Sequence, residues 1–550
     1  MKRVWELFSR RQGSVRSAAI ILVSMVFTSR ILGLVRDRLL NARFAPDELG
    51  VYIAAFRLPN LVFELLVMGA LTSAFIPVFT KYVTQKNEKE GFGMAAAIIN
   101  LSVVVLLTVA IPILIWTEQF SRFLAPGFTN TQIVQMASFT RIMVLSQVLP
   151  LLVGNFFTGI LQSYNLFLVP ALAPVIYNVG IIIGIIFLSS SYGLYGPVIG
   201  VGIGAFLFML IQVPLIIAVG YRHKLDFNYR HAGVREVLRL IGPRTLGLAV
   251  SQIDSTVDLM LSSLLGATMV TVFNFAQQLQ QLPVGLFGVT VAQAALPTLS
   301  AATANSDMGE FRKAITSGIH QILFFVLPAS AMFIVLRIPV VRLVFGASRF
   351  TWEATVLTGM TLSMFAISIF AQSIVNVLAR GFYALYDTKT PVTIGIVSIL
   401  INTTASIMFI KVLGWPVWSL GLSTSIASIV NATALFIFLN KRVSGLASRE
   451  LFLPSLKMFV AAVSAGVVVF FPLKLFDQLV FDTTRTFGLL MLTGVAGGAG
   501  LLTYLSLAWL FDVNEVKSFF ALISRVRKPK AVILQPVNEV INGGIQDKMS

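Results

Sequence analysis

S-R-I-L-G-L-V-R-D, Ser29–Asp37, and A-F-R-L-P-N-L-V-F-E-L-L-V-M-G-A-L-T-S-A-F-I-P, Ala55–Pro77, are the stretches on which the reading of this chain turns. Arg30, Arg36, Asp37, Arg57 and Glu64 stand inside otherwise apolar sequence. A charge held in hydrocarbon costs a few kcal/mol or more, so these groups are expected to face a wet cavity or a partner.

The surroundings are those of a membrane protein. The chain of 550 residues is 57% hydrophobic and 12% charged, where a soluble domain carries about 25% charged residues. Its mean hydropathy is +0.87. There is no cysteine, which excludes disulfides, thiolate zinc sites and thiol nucleophiles together. Of three histidines, His223 and His231 fall in a polar loop. His320, on an apolar helix, reads as a satisfied packing residue rather than a proton relay. The net charge of +18 resides in loops between apolar runs, which points to membrane orientation and not to nucleic acid.

With about 20 apolar residues needed per crossing, the chain reads as an all-α polytopic membrane protein of about 14 transmembrane helices. The expected order is a cytoplasmic segment at 1–16, a first six-helix lobe at 17–220 and a basic linker at 221–241. A second lobe at 242–440, two C-terminal helices within 441–511, and an amphipathic segment with a disordered polar tail at 512–550 complete it. No cleavable signal is evident, because Met1–Arg16 is polar and the first apolar run continues as a full span. An even span count with both termini cytoplasmic places roughly 25 Lys and Arg inside and about 8 outside. The outside exception is the group Arg337, Arg342 and Arg349.

An internal repeat organises the spans. Leu58-Pro59 recurs as Leu282-Pro283, by subtraction 224 residues on, and Tyr164-Asn165 recurs as Tyr386-Asp387, 222 on. Two parallel six-helix repeats, spans 1–6 and 7–12, are expected, with prolines 59, 77, 150, 283 and 297 bending their helices. Transporters built from two such halves bind substrate between them and rock to alternate access.

No catalytic constellation accompanies the charges, so an enzyme is not expected. Asp254 and Asp258, four apart, share a helix face and suit a cation site or an ion pair with an arginine. Guanidinium groups suit phosphate and pyrophosphate because their planar donors bind oxygens in pairs. For Arg36 the alternative is a pair with adjacent Asp37, and both readings stand. Arg30 and Arg36 lie about 120° apart round a helix, so a shared site needs a broad cavity or a bend at Gly33.

S-R-I-L-G-L-V-R-D, F-R-L-P-N-L, G-A-L-T-S-A-F-I-P-V-F, L-Q-S-Y-N-L-F-L-V-P-A-L-A-P, G-P-R-T-L-G-L-A-V-S-Q-I and G-F-Y-A-L-Y-D-T-K-T-P-V, in that order, resemble the MurJ/MviN family of lipid II flippases. The resemblance implies a member of the multidrug/oligosaccharidyl-lipid/polysaccharide (MOP) exporter superfamily in the bacterial cytoplasmic (inner) membrane. Its function would be moving an undecaprenyl-pyrophosphate-linked peptidoglycan precursor to the outer leaflet for cell-wall biogenesis and cell shape. A cationic central cavity would take the headgroup, and a groove near spans 13 and 14 the lipid tail. Arg30, Arg36 and Arg57 match its cationic positions. Arg141 and Arg380 match basic positions of gating or structural role, and Asp37, Glu64 and Asp387 are candidates for ion pairs or gating. Asp258 matches an acidic position associated in some members with sodium, with Asn402 a candidate co-ligand, so Na+ or H+ coupling is expected and no organic cofactor.

Two departures stand out. A basic residue expected in span 2 appears as Phe63, followed by Glu64. Gln278 takes the place of a usual arginine and Gln281 that of a glutamate, leaving the pair as weaker hydrogen-bonding candidates for the headgroup. The alternative is therefore a flippase for another lipid-linked oligosaccharide, or a multidrug exporter, of the same superfamily. A third reading, a membrane enzyme or a scaffold recruiting cell-wall synthesis proteins, lacks a catalytic cluster and gives the intramembrane arginines no purpose.

Overall fold

In the computed structural model, residues 15–68, 74–476, 485–517 and 519 are described. The first six spans are α1 (Val15–Arg43), α2 (Pro46–Val67, resumed at Ile76–Thr84), α3 (Glu88–Ile115), α4 (Asn130–Ser163), α5 (Leu168–Tyr192) and α6 (Tyr195–Ala218). The next six are α7 (Ala232–Leu264), α8 (Ala267–Ala304), α9 (Met308–Val335), α10 (Trp352–Ala366 with Ile369–Ala384), α11 (Lys389–Val412) and α12 (Trp418–Val443). Two more follow, α13 (Arg449–Phe476) and α14 (Thr486–Leu510). Among the described residues the fourteen expected spans are thus helical. Among the described residues eleven are long and apolar enough to cross a membrane, or twelve counting α10, whose halves meet at 43°. The other two, α1 and α7, are 29 and 33 residues long and carry charges inside their apolar runs.

Local chemistry sets the helix ends. Thr129 accepts from Gln132 N at 3.3 Å while the Gln132 side chain accepts from Thr129 N at 3.0 Å, a capping box at the start of α4. Asp307 and Thr351 cap α9 and α10 one way, accepting from Glu310 N and Ala354 N at 2.9 and 3.2 Å. Proline disturbs the ladder by removing a donor. The helix of α2 breaks at Phe56, just ahead of Pro59. A π-helical turn at Val144–Val148 precedes Pro150, and another at Val284–Val289 follows Pro283. Pro297 makes no break: Thr290–Ala304 runs through it.

The two repeats match in backbone detail. The π-helical turns Glu64–Met68 and Val284–Val289 occupy α2 and α8, and Gly184–Leu188 and Met408–Val412 occupy α5 and α11. Residues with positive φ end corresponding helices: Lys86 and Ser306, Asn165 and Tyr386, Gly193 and Gly414, which are 220, 221 and 221 apart by subtraction. Packing follows suit. α1 lies on α5 as α7 lies on α11, and α5 lies on α6 as α11 lies on α12. Between the repeats, the N-terminal part of α2 packs along α8.

α13 and α14 pair with each other and lean on α9. The segment after α14 does not lie free as an interfacial helix at its start. Val513 and Val516 are fully buried in the second repeat's core, and Phe519 meets Phe324 and Phe325. The tail expected at 528–550, and nearly all of the segment at 1–16, lie outside the described residues.

Glycine permits close helix contact. A Cβ on Gly180 of α5 would stand 2.3 Å from Gly204 Cα of α6, and one on Gly204 would stand 2.4 Å from the Tyr177 carbonyl. Gly180→Ala and Gly204→Ala are each expected to destabilise the protein by about 1–3 kcal/mol through overpacking, read as a lower Tm in detergent. Gly494→Ala, with nothing within 4 Å, should leave Tm unchanged or raise it.

Candidate functional site

The charged face of α1 lines the space between the repeats. A cavity of about 450 Å³ is walled by α1, α2 and Tyr177 of α5 on one side and by α7 and α8 on the other. It adjoins a second space of about 390 Å³ that shares Arg36, Asp37, Ser255, Gln277 and Gln278 and extends to Arg30 and Gln281. α1 runs unbroken through Gly33, so the breadth of the cavity, and not a bend, lets Arg30 and Arg36 serve one space.

The three arginines differ in how far the protein already satisfies them. Arg36 pairs with Asp37 through Nη2 at 2.8 Å and Nε at 2.9 Å, and its Nη1 donates to Asn178 Oδ1 at 3.2 Å. It both lines the cavity and holds its neighbour, so the two sequence readings coexist. Asn178 in turn donates to the Ser29 carbonyl and hydroxyl and to the Pro174 carbonyl, fixing α1 on α5. Arg57 reaches across to α7: its Nε and Nη2 donate to Thr256 Oγ1 at 3.0 and 2.7 Å, and Nη2 also to the Gln252 carbonyl. Gln252 donates to Glu64, so Glu64 is tied to α7 by a hydrogen bond. Arg30 is exposed to the cavity, near Gly285, with no hydrogen bond or ion pair among the described residues.

The second repeat contributes amides. Gln278 donates to Asn274 Oδ1 at 2.8 Å, and both line the larger cavity, while Gln281 lines the smaller. Asp258 is buried in the wall with Oδ1 unpartnered, and Arg57 lies within electrostatic reach. Asn402 of α11 donates not to Asp258 but to Asp254, at 2.9 Å, and its own Oδ1 is buried without a partner. Two carboxylates and an orphaned amide oxygen form a hard-oxygen set that suits a small cation. No group of three or more His, Cys, Asp or Glu able to hold a metal occurs among the described residues.

The remaining candidates lie elsewhere. Arg141 donates to the Leu114 carbonyl at 3.4 Å, and Arg380 stands over the Tyr383 ring at 5.9 Å; neither forms an ion pair among the described residues. Asp387 sits between α10 and α11, where it pairs with Arg442 at 2.8 Å and accepts from Thr390 Oγ1 at 2.6 Å. His320 is buried against the Leu451 carbonyl at 3.1 Å, with Glu515 at 3.6 Å, and so fastens α9 to the start of α13 and to the segment after α14. Asn178, Gln252, Thr256 and Asp254 were not singled out as partners of the arginines and Asn402. Their signal is weak: one polar side chain in an apolar run, whose partner is far away in sequence.

The cavity is closed at the end away from the 221–231 loop. There Thr271 Oγ1 donates to the Pro46 carbonyl at 2.6 Å, Ser348 Oγ to Ala42 O at 2.9 Å and Arg349 N to Asn41 O at 3.2 Å. A Cβ on Gly50 would fall 1.9 Å from the Ala267 carbonyl, so only glycine lets α2 meet α8 this closely.

Paired six-helix repeats around an arginine-bearing polar cavity define a multi-pass membrane transporter. A family model described as lipid II flippase MurJ matches residues 45–486. The lipid II flippase MurJ of Burkholderia cenocepacia is 27% identical over 464 residues, 82% of this chain and 88% of that protein. A lipid II flippase MurJ solved in an inward closed conformation matches with a TM-score of 0.73 and 25% identity, over 92% of this chain and 100% of that one. An inward-facing multidrug resistance MATE family transporter of the MOP superfamily shares the fold, with a TM-score of 0.65 at 16% identity over 78% of this chain and 98% of that one. The chain belongs to the lipid II flippase MurJ family, a family of transporters and not of catalysts.

The Asp387 carboxyl is held below the ordinary carboxylate range, first by the Thr390 hydroxyl and backbone N–H, then by Arg442 and the Lys389 N–H. A depressed folded pKa contributes stability above the unfolded value of about 3.9, which is lost as pH falls through the folded value. Asp387→Asn should therefore lower Tm modestly at neutral pH. The gap from wild type should close as pH drops below about 4.

Proposed function

We propose that this chain carries lipid II from the inner to the outer leaflet of the bacterial cytoplasmic membrane by alternating access of the lobes at 17–220 and 242–440. Family membership supports the substrate. The observation that carries the mechanism is a pair of adjoining spaces between the repeats, to which the first repeat brings Arg30, Arg36 and Arg57, with Arg36 lining both. The pyrophosphate of the lipid-linked precursor would bind there, and Gln278 and Gln281 would hydrogen-bond the headgroup. The excess of Lys and Arg in alternate loops supports placing both termini in the cytoplasm, with the closed end of the cavity toward the outer leaflet.

The hydrogen bonds support a distinct part for each arginine. Arg30, without a hydrogen bond or ion pair among the described residues, is the group ready to receive phosphate oxygens. Arg36 is pre-set by Asp37 and Asn178, so less side-chain freedom is lost when it binds. Arg57 bridges the repeats through Thr256 and Gln252. A phosphate taking over those donors would release that bridge. Substrate arrival and lobe movement would then be linked through one side chain.

Replacing Arg30, Arg36 and Arg57 by Ala in cells that depend on this protein should make lipid II accumulate in the inner leaflet. Each single change should cut transport about tenfold or more, since a charge-assisted hydrogen bond contributes ~1.5–3 kcal/mol. Normal outer-leaflet exposure in the triple variant would overturn the assignment of the cavity. A variant that still exports another lipid-linked saccharide or a drug would favour the wider superfamily reading.

Asp258 and Asn402, with Asp254, would hold a sodium ion, whose charge would offset the two carboxylates as the lobes move. Asp258→Asn is expected to abolish sodium-dependent thermal stabilisation of the purified protein. Equal stabilisation of wild type and variant would place ion coupling elsewhere.

A further inference from the structure

Beyond the central cavity, a second cationic pocket lies at its closed end. It is a space of about 360 Å³ where the end of α1, the α9–α10 connection and the start of α14 meet. Arg38, Arg342 and Arg485 line it, with no carboxylate among its described lining residues. The transport reading gives this pocket no part. It also contains Arg342, one of the arginines that stand against the general charge asymmetry of the loops.

We propose that this pocket binds the phosphate group of a membrane lipid at the end of the bundle opposite the 221–231 loop. Arg38 is the fixed wall. It donates to the Arg342 carbonyl at 3.5 Å, to the Leu343 carbonyl, and to Thr486 Oγ1 at 3.3 Å, which ties α1 to the helix Arg337–Phe345 and to α14. Its charge thereby stays in the pocket whatever else binds. The Arg342 guanidinium has no hydrogen-bond partner among the described residues and stacks over the Trp352 ring at 5.4 Å, which holds its plane while its N–H groups remain available. Arg485 adds a further charge at the rim, directly before the 25-residue helix α14, whose first N–H groups favour an anion.

The size of the pocket limits the ligand. About 360 Å³ is near the lower end of small-molecule sites, enough for a phosphate-bearing headgroup and not for a glycopeptide. The exposed Trp352 ring belongs at a membrane interface, where a lipid phosphate would be found. Two lipids present this chemistry: a resident anionic phospholipid, and the polyprenyl pyrophosphate end of a transported molecule. Arg36 and Arg38 are two residues apart on α1, so they project from different faces of one helix, one toward each site. The pocket does not depend on the transport reading, although the second source would make it a station on the exit side.

The test uses the full chain in detergent with every tryptophan except Trp352 changed to Phe, so that emission reports this pocket and not the central cavity. Titrants are dioleoylphosphatidylglycerol, undecaprenyl pyrophosphate and zwitterionic dioleoylphosphatidylcholine. Saturable emission changes are expected with one or both anionic lipids, at concentrations where phosphatidylcholine gives none. A response to phosphatidylglycerol alone assigns a resident lipid, to the pyrophosphate alone a transported one, and to both a general phosphate site. Arg342→Gln with Arg485→Gln should raise the midpoint about tenfold or more. Should that pair not fold, Ser348→Asp, which adds a carboxylate at an exposed rim position, should raise it similarly. Equal response to phosphatidylcholine, no response to either anionic lipid, or a midpoint unmoved by these substitutions would overturn the proposal.

Discussion

The structure depends on one constraint: guanidinium groups carried into a membrane bundle must be given polar surroundings. α1 answers it in three ways. Arg36 is neutralised by Asp37 and steadied by Asn178, Arg38 caps the carbonyl end of a neighbouring short helix, and Arg30 is left in the cavity. Each answer requires a different neighbour, respectively α5, the helix Arg337–Phe345, and the open space facing α8. The position of α1 is therefore fixed by polar contacts on one side and by a cavity on the other. A helix that carries its charges inside an apolar run is the one around which the bundle is arranged.

Duplication explains why a cavity is there at all. Matching π-helical turns in α2 and α8 and matching left-handed turns after corresponding helices show two copies of one backbone plan. The copies meet through α2 and α8 at one end, where Gly50 against Ala267 permits contact closer than any side chain would. A bundle sealed at one end by backbone contact and held mid-way by Arg57 on Thr256 leaves space between these two points. That space is the cavity.

Much of this was legible in the sequence. Span order, the repeat and the charged positions followed from apolar run length, from Leu-Pro pairs and from charges that hydrocarbon penalises. Partnerships were not legible. Asn178 and Arg36 are far apart in the chain, as are Gln252 and Glu64, and only the folded bundle brings them together. The pairing of Asn402 with Asp254 rather than Asp258 could not be read from helical spacing, because two carboxylates four apart share a face and only a neighbouring helix chooses between them. The start of the C-terminal segment was ambiguous for a related reason. An apolar stripe at helical spacing fits a lipid surface and a protein core equally well, and here Val513 and Val516 take the core.

The unequal lining of the cavity has a mechanical consequence. The first repeat supplies arginines, while the second supplies Gln278, Gln281 and Asn274 together with Asp258 of α7. A phosphate-bearing headgroup in this space would be drawn to α1 and α2, and the second repeat would hold it by hydrogen bonds alone. Arg57 belongs to the first side yet presently spends its donors on the second. The N–H groups on Nε and Nη2 are committed to Thr256 and the Gln252 carbonyl, so a phosphate gripping the Nε–Nη2 edge would displace both. Binding on the charged side thus weakens the tie to the uncharged side. Asymmetry between two copies of one plan is what allows occupancy of the cavity to bear on how the copies are joined.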